Sequence, residues 1–313
     1  MYKIGIDIGG MSVKAGLVDE NGRIVIKNTE KTADNFDKVI EKMICQINNL
    51  LRAKNLALKD ISGIGIGCPG AVTGKTGIID ILPNLGWHHV PLVSRLKEKF
   101  DTKIVISNDA NVAALGEAVY GCAKNYNNVI MFTIGTGVGG GIIIDKKLYE
   151  GALSKGAELG HVTLVLDGEE CTCGRRGCVE TYVSATALIK QTRKAMKDNP
   201  ESAMWKFVGG NIDSVDGRTA FECAKLGDES AIKVQNQYIK YLSESIMNML
   251  NVFRPDAVII GGGISAQGSY LTDLIKNYCE KFEYGYKDSP KCDIITASLG
   301  NDAGIIGAAA LLC

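Results

Sequence analysis

The sequence has 313 residues, of which 46% are hydrophobic and 22% charged, enough for about two globular domains. Its 35 lysines and arginines balance 35 aspartates and glutamates, which gives no electrostatic basis for binding nucleic acid or an anionic membrane. No apolar run approaches the roughly 20 residues of a membrane helix, and the opening residues lack a signal-peptide pattern. We therefore expect a cytoplasmic protein whose cysteines are reduced, buried or metal-bound rather than paired as disulfides.

The first third of the chain predicts a meander of strands, then a helix and another strand. Residues 3–8 alternate in polarity and lead into a pair of glycines, and further strand runs span residues 13–18 and 23–26. The apolar side chains of residues 35–53 fall on one helical face. Residues 61–67 form a short apolar run, which predicts a buried strand.

The segment from residue 128 to residue 151 repeats the opening pattern. Asp7-Ile8-Gly9 corresponds to Thr133-Ile134-Gly135, and Leu17-Val18-Asp19 corresponds to Ile143-Ile144-Asp145 at the same spacing. Each copy is a strand, a glycine turn, a second strand and a polar turn. The pattern indicates an internal duplication of one α/β unit.

The last third predicts a long helix, a strand and a final helix. Residues 229–250 are amphipathic, and the apolar residues 257–260 run into three glycines. A small-residue helix is expected at 303–312, with Asp302 as its cap.

These elements divide into two expected α/β domains. The small domain comprises residues 1–117 and is joined by the C-terminal helix at 301–313. The large domain comprises residues 118–300 and carries the metal site described next.

Three cysteines and a histidine form a predicted metal site. Cys171, Cys173 and Cys178 lie within eight residues of one another, are flanked by glycines and follow His161. Three thiolates and one imidazole suit tetrahedral zinc. Four protein ligands leave no open coordination position, so we expect the zinc to be structural. The alternative is an accidental cluster of cytosolic thiols.

Two glycine turns are candidate phosphate sites. Gly9-Gly10, preceded by Asp7, and the run from Gly135 to Gly141 expose backbone N–H groups that can hold phosphate oxygens. Neither turn has the Gly-Lys-Ser/Thr ending of a Walker loop or the helix that directly follows a Rossmann turn. A lone glycine hairpin is more often only a turn. The duplication and the Asp7 carboxylate favour nucleotide phosphate and magnesium instead.

A carboxylate at a predicted helix start is a candidate general base. A strand at residues 103–106 runs into Ser107-Asn108-Asp109, and Asp109 falls in the first helical turn. The helix N-terminus favours an ionised carboxylate that can accept a hydroxyl proton. On its own the segment favours plain capping by Ser107 or Asn108.

The loop from Pro83 to Trp87 holds an amide, Asn84, that could bind sugar hydroxyls. On sequence alone a turn with a buried aromatic is the better interpretation. His88 and His89 have no identifiable partner and are expected at the surface.

Together these residues resemble the ROK family (repressor, open reading frame, kinase), and most closely its bacterial glucokinases. The motifs that carry the resemblance are Asp7–Gly10, Gly65–Gly70, Asn84–Trp87, Asn108–Asn111, the second glycine turn and Glu158–Glu180. The last of these is the most specific. The resemblance implies a duplicated, actin-like (ribonuclease H-like) α/β kinase fold with two domains around a central cleft, and a homodimer or homotetramer.

The resemblance also implies roles for particular residues. Asp109 would be the general base toward the 6-hydroxyl of a hexose, most simply glucose, placing the protein in glycolysis. Sugar contacts are implied for Gly70, Asn84, Asn108, Glu158, His161 and Glu180. Contacts to ATP and Mg²⁺ are implied for Asp7, Gly9, Gly10, Ser12, Lys14, Gly135, Thr136, Gly137 and Gly139, with Gly261, Gly262 and Gly263 near adenosine. His161 would bind zinc with one ring nitrogen and sugar with the other.

Alternatives within the resemblance concern the sugar and the activity. N-acetylmannosamine, N-acetylglucosamine or fructose could replace glucose as the substrate. The family usually has Thr where this chain has Met11, and a thioether cannot donate a hydrogen bond to phosphate. A non-catalytic sugar sensor is therefore the second alternative. A DNA-binding repressor is disfavoured because the first kinase strand starts at residue 2 and no basic patch is present.

Overall fold

The computed structural model describes residues 1–33, 35–282, 284 and 291–313. The chain forms two compact units, each assembled from separate segments. Unit 1 comprises Met1–Val129, Gly141–Ala157 and Ser298–Cys313, and unit 2 comprises Ile130–Gly140 and Glu158–Ala297.

The described chain contains both strands and helices. The strands are β1 (Tyr2–Ile8), β2 (Ser12–Val18), β3 (Ile24–Lys31), β4 (Ile61–Cys68), β5 (Ala71–Thr73), β6 (Ile78–Leu82), β7 (Trp87–Val90), β8 (Ile104–Asn108), β9 (Val129–Ile134), β10 (Val138–Ile144), β11 (Lys147–Tyr149), β12 (Ala257–Gly262) and β13 (Asp293–Thr296). The helices are α1 (Phe36–Ala53), α2 (Leu92–Lys97), α3 (Asp109–Val119), α4 (Glu180–Val183), α5 (Ala185–Asp198), α6 (Ala203–Phe207), α7 (Thr219–Lys225), α8 (Glu229–Phe253), α9 (Ser269–Phe282) and α10 (Ala303–Ala310).

The first sheet has the strand order β3-β2-β1-β4-β8. The meander β1-β2-β3 is antiparallel, whereas β4 runs parallel to both β1 and β8. In this register Asp7 lies opposite Gly67, and Cys68 lies opposite Asn108. The carboxyl ends of three parallel strands therefore meet at one edge, the usual location of ligand sites in α/β sheets.

The second sheet has the order β11-β10-β9-β12-β13. When the strands of each sheet are numbered along the chain, both sheets follow the order third, second, first, fourth, fifth. The antiparallel pairing of β10 with β11 and the parallel pairing of β12 with β13 match the first sheet. The prediction of a duplicated α/β unit is therefore confirmed. A third, small antiparallel sheet holds β5, β6 and β7.

Helix α1 covers the meander of the first sheet. Its apolar stripe packs onto the core of the sheet, and the predicted helix at 35–53 matches its bounds. The Asn35 side chain accepts a hydrogen bond from the Lys38 backbone N–H at 2.9 Å, which satisfies one free donor of the first turn. Each fully buried aliphatic side chain of the stripe contributes about 1.5–3 kcal/mol.

Helix α10 packs directly on β1, β4 and α3. Glycines on these neighbours allow the contact, since a Cβ added to Gly5 would lie 1.9 Å from the Ile305 carbonyl oxygen. On the helix itself, a Cβ added to Gly307 would lie 1.8 Å from the Val112 carbonyl oxygen. Side chains would separate these backbones, so small residues set the position of α10.

The predicted cap of α10 is wrong. Asp302 makes no side-chain cap hydrogen bond and has φ −98° and ψ −1° rather than the extended conformation of a capping residue. A 3-10 turn at Gly300–Asp302 leads straight into the helix. The Asp302 carboxylate instead accepts from Lys27 Nζ at 2.7 Å.

A buried carboxylate, Glu117, fixes the start of the C-terminal segment. It is fully buried and accepts hydrogen bonds from the backbone N–H groups of Ser298, Leu299 and Cys122, and from the Ser298 hydroxyl. These bonds compensate its burial and tie α3 to the chain that enters α10.

None of the helices within the described ranges has the length and apolar character needed to cross a membrane. The ten cysteines all lie within the described residues, and none of them is paired in a disulfide.

Candidate functional site

The predicted unit 1 residues gather at the carboxyl ends of β1, β4 and β8. Asp7 lies near the end of β1, and Asn108 ends β8 immediately before α3. Burial, together with the negative charges of Asp109 and Asp7, raises the pKa of the Cys68 thiol at the end of β4. Both carboxylates therefore lie close enough to act on one buried sulfur.

Asp7 is held by a lysine and by a helix start. Its Oδ2 lies 3.5 Å from Nζ of Lys14, the residue opposite it on β2. A Cβ added to Gly304 would lie 2.5 Å from Asp7 Cγ, so the first turn of α10 closes on the carboxylate. Burial raises the pKa of Asp7 above its ordinary value, although the Lys14 ammonium opposes the shift.

Asn108 performs two tasks with one side chain. Its Oδ1 caps α3 by accepting from the backbone N–H groups of Ala110 and Asn111, at 2.8 and 3.3 Å. Its Nδ2 donates to the Gly70 carbonyl oxygen at 3.2 Å. The capping interpretation of the sequence is thus correct for Asn108, and the cap places Asp109 at the first position of α3, where the helix dipole favours a negative charge.

The Gly9-Gly10 turn is tight and carries an exposed methionine. The Gly9 backbone N–H donates to the Ser12 carbonyl at 2.8 Å, and the side chain at Met11 is 89% exposed. Ser12 and Lys14 share a face of β2 because strand side chains alternate, so Ser12 lies on the face of Asp7. Asn84 approaches the turn, since its Cβ lies 3.9 Å from a Cβ added to Gly10.

The loop from Pro83 to Trp87 is a turn with a buried aromatic side chain, as the sequence predicts. Residues Pro83–Leu85 form a 3-10 turn, and Trp87 is 4% exposed. His88 and His89 are exposed as expected. His89 does have a partner, because its Nδ1 lies 3.6 Å from the Asp80 carboxylate.

In unit 2 the four predicted metal ligands converge. The ligand atoms of His161, Cys171, Cys173 and Cys178 all lie within 4.8 Å of one another. The His161 Nδ1 is 3.6 Å from Cys171 Sγ, which leaves Nε2 as its other ring donor. A Cys3His set with this spacing could hold a metal ion.

The thiols of this cluster fit a metal on chemical grounds as well. Burial raises the pKa of Cys178 to about 12, so its thiolate needs a nearby cation. A hydrogen bond from the Arg175 backbone N–H lowers the pKa of Cys173. The backbone contact of Cys173 therefore favours its thiolate, whereas the Cys178 thiolate would depend on the charge of a metal ion.

Glu180 lies between this cluster and the second glycine turn. Its Oε2 accepts from the Val138 backbone N–H at 2.9 Å, and its Oε1 lies 4.0 Å from Cys171 Sγ. A Cβ added to Gly137 would lie 2.3 Å from Oε2, so a glycine is needed there. Burial, and then the charge of Glu180, raise the pKa of Glu158, and His161 opposes them. Glu158, His161 and Glu180 therefore form one neighbourhood.

The second glycine turn is braced by the start of α5. The Gly135 carbonyl accepts from the Ala185 backbone N–H at 2.9 Å, and the Thr136 carbonyl accepts from the Thr186 hydroxyl at 2.8 Å. Gly139 follows in β10. The Gly261–Gly263 segment reaches the same turn, because a Cβ added to Gly262 would lie 2.1 Å from the Ile134 carbonyl oxygen, while the Cβ position of Gly263 is open.

The predicted residues thus fall into two groups. Unit 1 holds Gly70, Asn84, Asn108 and Asp109 together with Asp7 and the first turn, and unit 2 holds the metal cluster, Glu158, Glu180 and the second turn. Sequence reasoning missed Cys68 beside Asp7 and Asp109, and Glu150, whose side chain bonds Ser107. Cys68 lies inside the Gly65–Gly70 motif and could have been noticed, whereas no local pattern marks Glu150.

Comparison with known proteins decides the family. The sequence pattern described as "ROK family" matches residues 3–313. The chain belongs to the ROK family. The glucokinase of Streptomyces coelicolor is 33% identical over 310 residues, covering 98% of this chain and 96% of that protein. The glucokinase of Thermotoga maritima is also 33% identical, over 99% and 96%.

Solved structures show the ROK fold across the whole chain. A Streptomyces griseus ROK glucokinase, solved with glucose and AMPPNP, superimposes with a TM-score of 0.83 at 32% identity, covering 99% of each chain. The ROK hexokinase of Thermus thermophilus gives 0.82 at 28% identity, over 99% and 97%. The predicted mixed α/β fold of these kinases is therefore confirmed.

Regulators of the ROK family are also similar to the chain. The xylose repressor of Bacillus spizizenii is 30% identical over 312 residues, which cover 99% of this chain and 77% of the repressor.

Proposed function

We propose that the protein is an ATP-dependent sugar kinase that phosphorylates the 6-hydroxyl of a hexose, with glucose as the first candidate. The observation that carries the proposal is the placement of Asp109. It starts α3 at the carboxyl edge of the parallel strands, directly after Asn108, which is fixed to the Gly70 carbonyl. A carboxylate held there can accept the proton of a sugar hydroxyl as the phosphoryl group transfers.

Each unit would contribute sugar contacts of its own. Unit 1 would offer Gly70, Asn84 and Asn108, whose amides and carbonyl suit sugar hydroxyls. Unit 2 would offer Glu158, Glu180 and the Nε2 of His161. The shared neighbourhood of these three side chains supports the assignment.

The nucleotide would be bound through glycine turns. Backbone N–H groups at Gly10 and Gly137 are candidate phosphate donors, whereas the N–H groups of Gly9 and Gly135 close the two turns by donating to the carbonyls of Ser12 and Gly137. Gly262 would lie near adenosine. Asp7 would hold Mg²⁺, which neutralises phosphate charge in such transfers, and Lys14 would add a positive charge. The raised pKa of Asp7 fits a carboxylate that is stabilised when a cation arrives.

The metal cluster would hold structural zinc. Three thiol sulfurs and one imidazole would supply the four ligands that structural zinc sites usually have. Zinc would then orient His161 through Nδ1 and brace the segment between Glu158 and Glu180.

A panel of sugars tests the proposal. ADP release is measured by a coupled assay with ATP and glucose, fructose, N-acetylmannosamine or N-acetylglucosamine. Turnover with glucose supports the glucokinase assignment. Turnover only with an N-acetyl sugar or fructose moves the substrate within the family, and no turnover with any sugar contradicts the kinase proposal.

A non-catalytic sugar sensor is the second candidate. The exposed Met11 and the similarity to the xylose repressor support it. Calorimetry that detects sugar binding but no ATP binding would favour the sensor. Under the kinase proposal, Met11→Thr adds a hydroxyl donor at the turn and lowers the KM for ATP several-fold. Sedimentation equilibrium would show whether the chain forms the proposed dimer or tetramer.

A further inference from the structure

The loop from Glu150 to Ala157 in unit 1 is anchored by contacts that the proposed sites do not use. Glu150 Oε1 accepts a hydrogen bond from the Ser107 hydroxyl at 2.5 Å. Ser107 is 1% exposed and directly precedes Asn108 at the end of β8. The bond therefore joins this loop to the strand end that carries Asn108 and Asp109.

The main chain of Glu150 also closes the loop on itself. Its carbonyl oxygen accepts from the Gly156 backbone N–H at 2.7 Å. Between these two residues, Leu153 and Ser154 hold φ of 57° and 56°, and Ala157 follows with φ of 63°. Non-glycine residues in the left-handed region are held there by their surroundings, at a cost of about 1–3 kcal/mol each. The loop therefore needs anchors to keep its shape.

A second anchor lies near the other end of the loop. Lys155 Nζ contacts Asp80 Oδ2 at 3.2 Å, and the same oxygen accepts from the Thr73 hydroxyl at 2.6 Å. Gly74 allows the loop to approach, since a Cβ added there would lie 3.3 Å from Ser154 Oγ. The loop that leads into Glu158 is thus anchored near both of its ends, by Glu150 and by Lys155.

We propose that Glu150 is a positioning residue for the sugar site, through its contact with Ser107 and through the loop that precedes Glu158. The inference rests on the proposed function, and it extends that function to a residue that does not touch the substrate. Loss of the Glu150 carboxylate leaves the buried Ser107 hydroxyl without its partner and loosens the strand end beneath Asp109. We therefore expect sugar binding and turnover to be impaired, whereas ATP binding is unchanged.

Steady-state kinetics of single and double variants test this inference. For Glu150→Ala, kcat falls about tenfold, because Asp109 is then held less accurately against the sugar hydroxyl. The KM for the sugar rises, and the KM for ATP stays within about twofold. Glu150→Gln retains an acceptor oxygen and recovers most of kcat. Ser107→Ala reproduces the alanine phenotype, and the double variant is no worse than the more impaired single variant, since both remove one contact.

A matched control removes another carboxylate of unit 1. Glu98→Ala deletes a side chain that is 61% exposed and lies 3.8 Å from Arg95, so its kinetics should equal those of the wild type. If Glu150→Ala does not fold, Ser107→Ala gives the same readout with a smaller change. If the wild-type protein is active and Ser107→Ala has the same kcat and KM values as the wild type, the inference about Glu150 is wrong while the proposed function stands. The same holds if the kcat of Glu150→Gln is no higher than that of Glu150→Ala. An inactive wild-type protein overturns the proposed function instead.

Discussion

The carboxylate of Glu180 accepts a hydrogen bond from the backbone N–H of Val138 at 2.9 Å. Glu180 follows the last cysteine of the metal cluster by two residues, and Val138 directly follows Gly137 of the second glycine turn. Within unit 2, one side chain therefore connects the proposed metal site to the proposed phosphate turn. A substitution in the metal cluster is therefore expected to disturb the glycine turn, and a substitution in the turn to disturb the cluster.

Removing the proposed base abolishes most of the turnover. Asp109→Asn keeps the shape of the side chain but cannot accept a proton, so kcat falls by about 10²–10⁴-fold. The helix start is otherwise retained, because Asn108 supplies the cap. Coupled ADP-release kinetics and thermal unfolding measure both effects. Asp101→Asn, an exposed substitution in the same unit, should change neither, and an active Asp109→Asn enzyme would rule out this base.

Loss of one cysteine of the cluster lowers metal content, stability and sugar affinity together. Elemental analysis of the untagged protein is expected to give about one zinc per chain. Cys173→Ala removes a ligand, so the zinc is lost, the Tm falls and sugar binding weakens as His161 loses its orientation. The control is Cys45→Ala, which removes an exposed thiol from α1. A metal-free protein with full stability and full sugar affinity would refute the structural role.

The buried Asp7 predicts opposite effects on stability and activity. Its folded-state pKa lies above the unfolded value, since burial outweighs the Lys14 ammonium. The carboxyl therefore contributes stability that is fully present below the unfolded pKa and is lost as pH rises through the folded pKa. At neutral pH, Asp7→Asn should raise the Tm of the metal-free, nucleotide-free protein, while kcat/KM for ATP falls about 10²-fold.

The pH dependence distinguishes this explanation from a general stabilisation. The Tm difference between Asp7→Asn and the wild type should shrink as pH falls through the raised pKa of Asp7 and vanish below the ordinary range for aspartate, because the carboxyl is then protonated in both the folded and the unfolded state. The wild-type kcat/KM for ATP should fall with decreasing pH at values above the ordinary pKa range of aspartate, because the raised pKa of Asp7 leads to earlier protonation. A Tm difference that is constant with pH would show that desolvation of Asp7 is not its cause.

The close packing of α10 predicts that Gly307→Ala destabilises the protein. In a helix interior Gly→Ala usually stabilises by about 1 kcal/mol, but a Cβ at Gly307 would lie 1.8 Å from the Val112 carbonyl oxygen. The backbone must move, so we expect Gly307→Ala to lower the free energy of unfolding by about 1–3 kcal/mol. Urea unfolding measures the change. Gly217→Ala, where no atom lies within 4 Å of the added Cβ, should be near neutral.

Local sequence patterns predicted the elements whose signals are continuous along the chain. The amphipathic periodicity of α1 and α8, the two glycine turns and the spacing of Cys171, Cys173 and Cys178 all depend on nearby residues. Matching one turn with the other predicted the internal duplication, and the equal strand order of the two sheets confirms it.

Contacts between distant residues could not be predicted in this way. Ser107 and Glu150 are 43 positions apart, and Glu117 and Ser298 are 181 apart, so no spacing rule connects them. The prediction that Asp302 caps α10 is wrong for a related reason. Its side chain was assigned to the nearest helix start, whereas the folded sheet brings Lys27 to it from 275 positions away.

The packing of α10 on β1 has a consequence for biosynthesis. Gly5 contacts Ile305, and the ribosome makes these residues about 15–60 s apart at roughly 5–20 residues per second. During that interval the face of β1 and β4 that α10 covers has no helix against it. Unit 1 therefore cannot complete this packing until Ile305 has been made, although Gly5 is made long before.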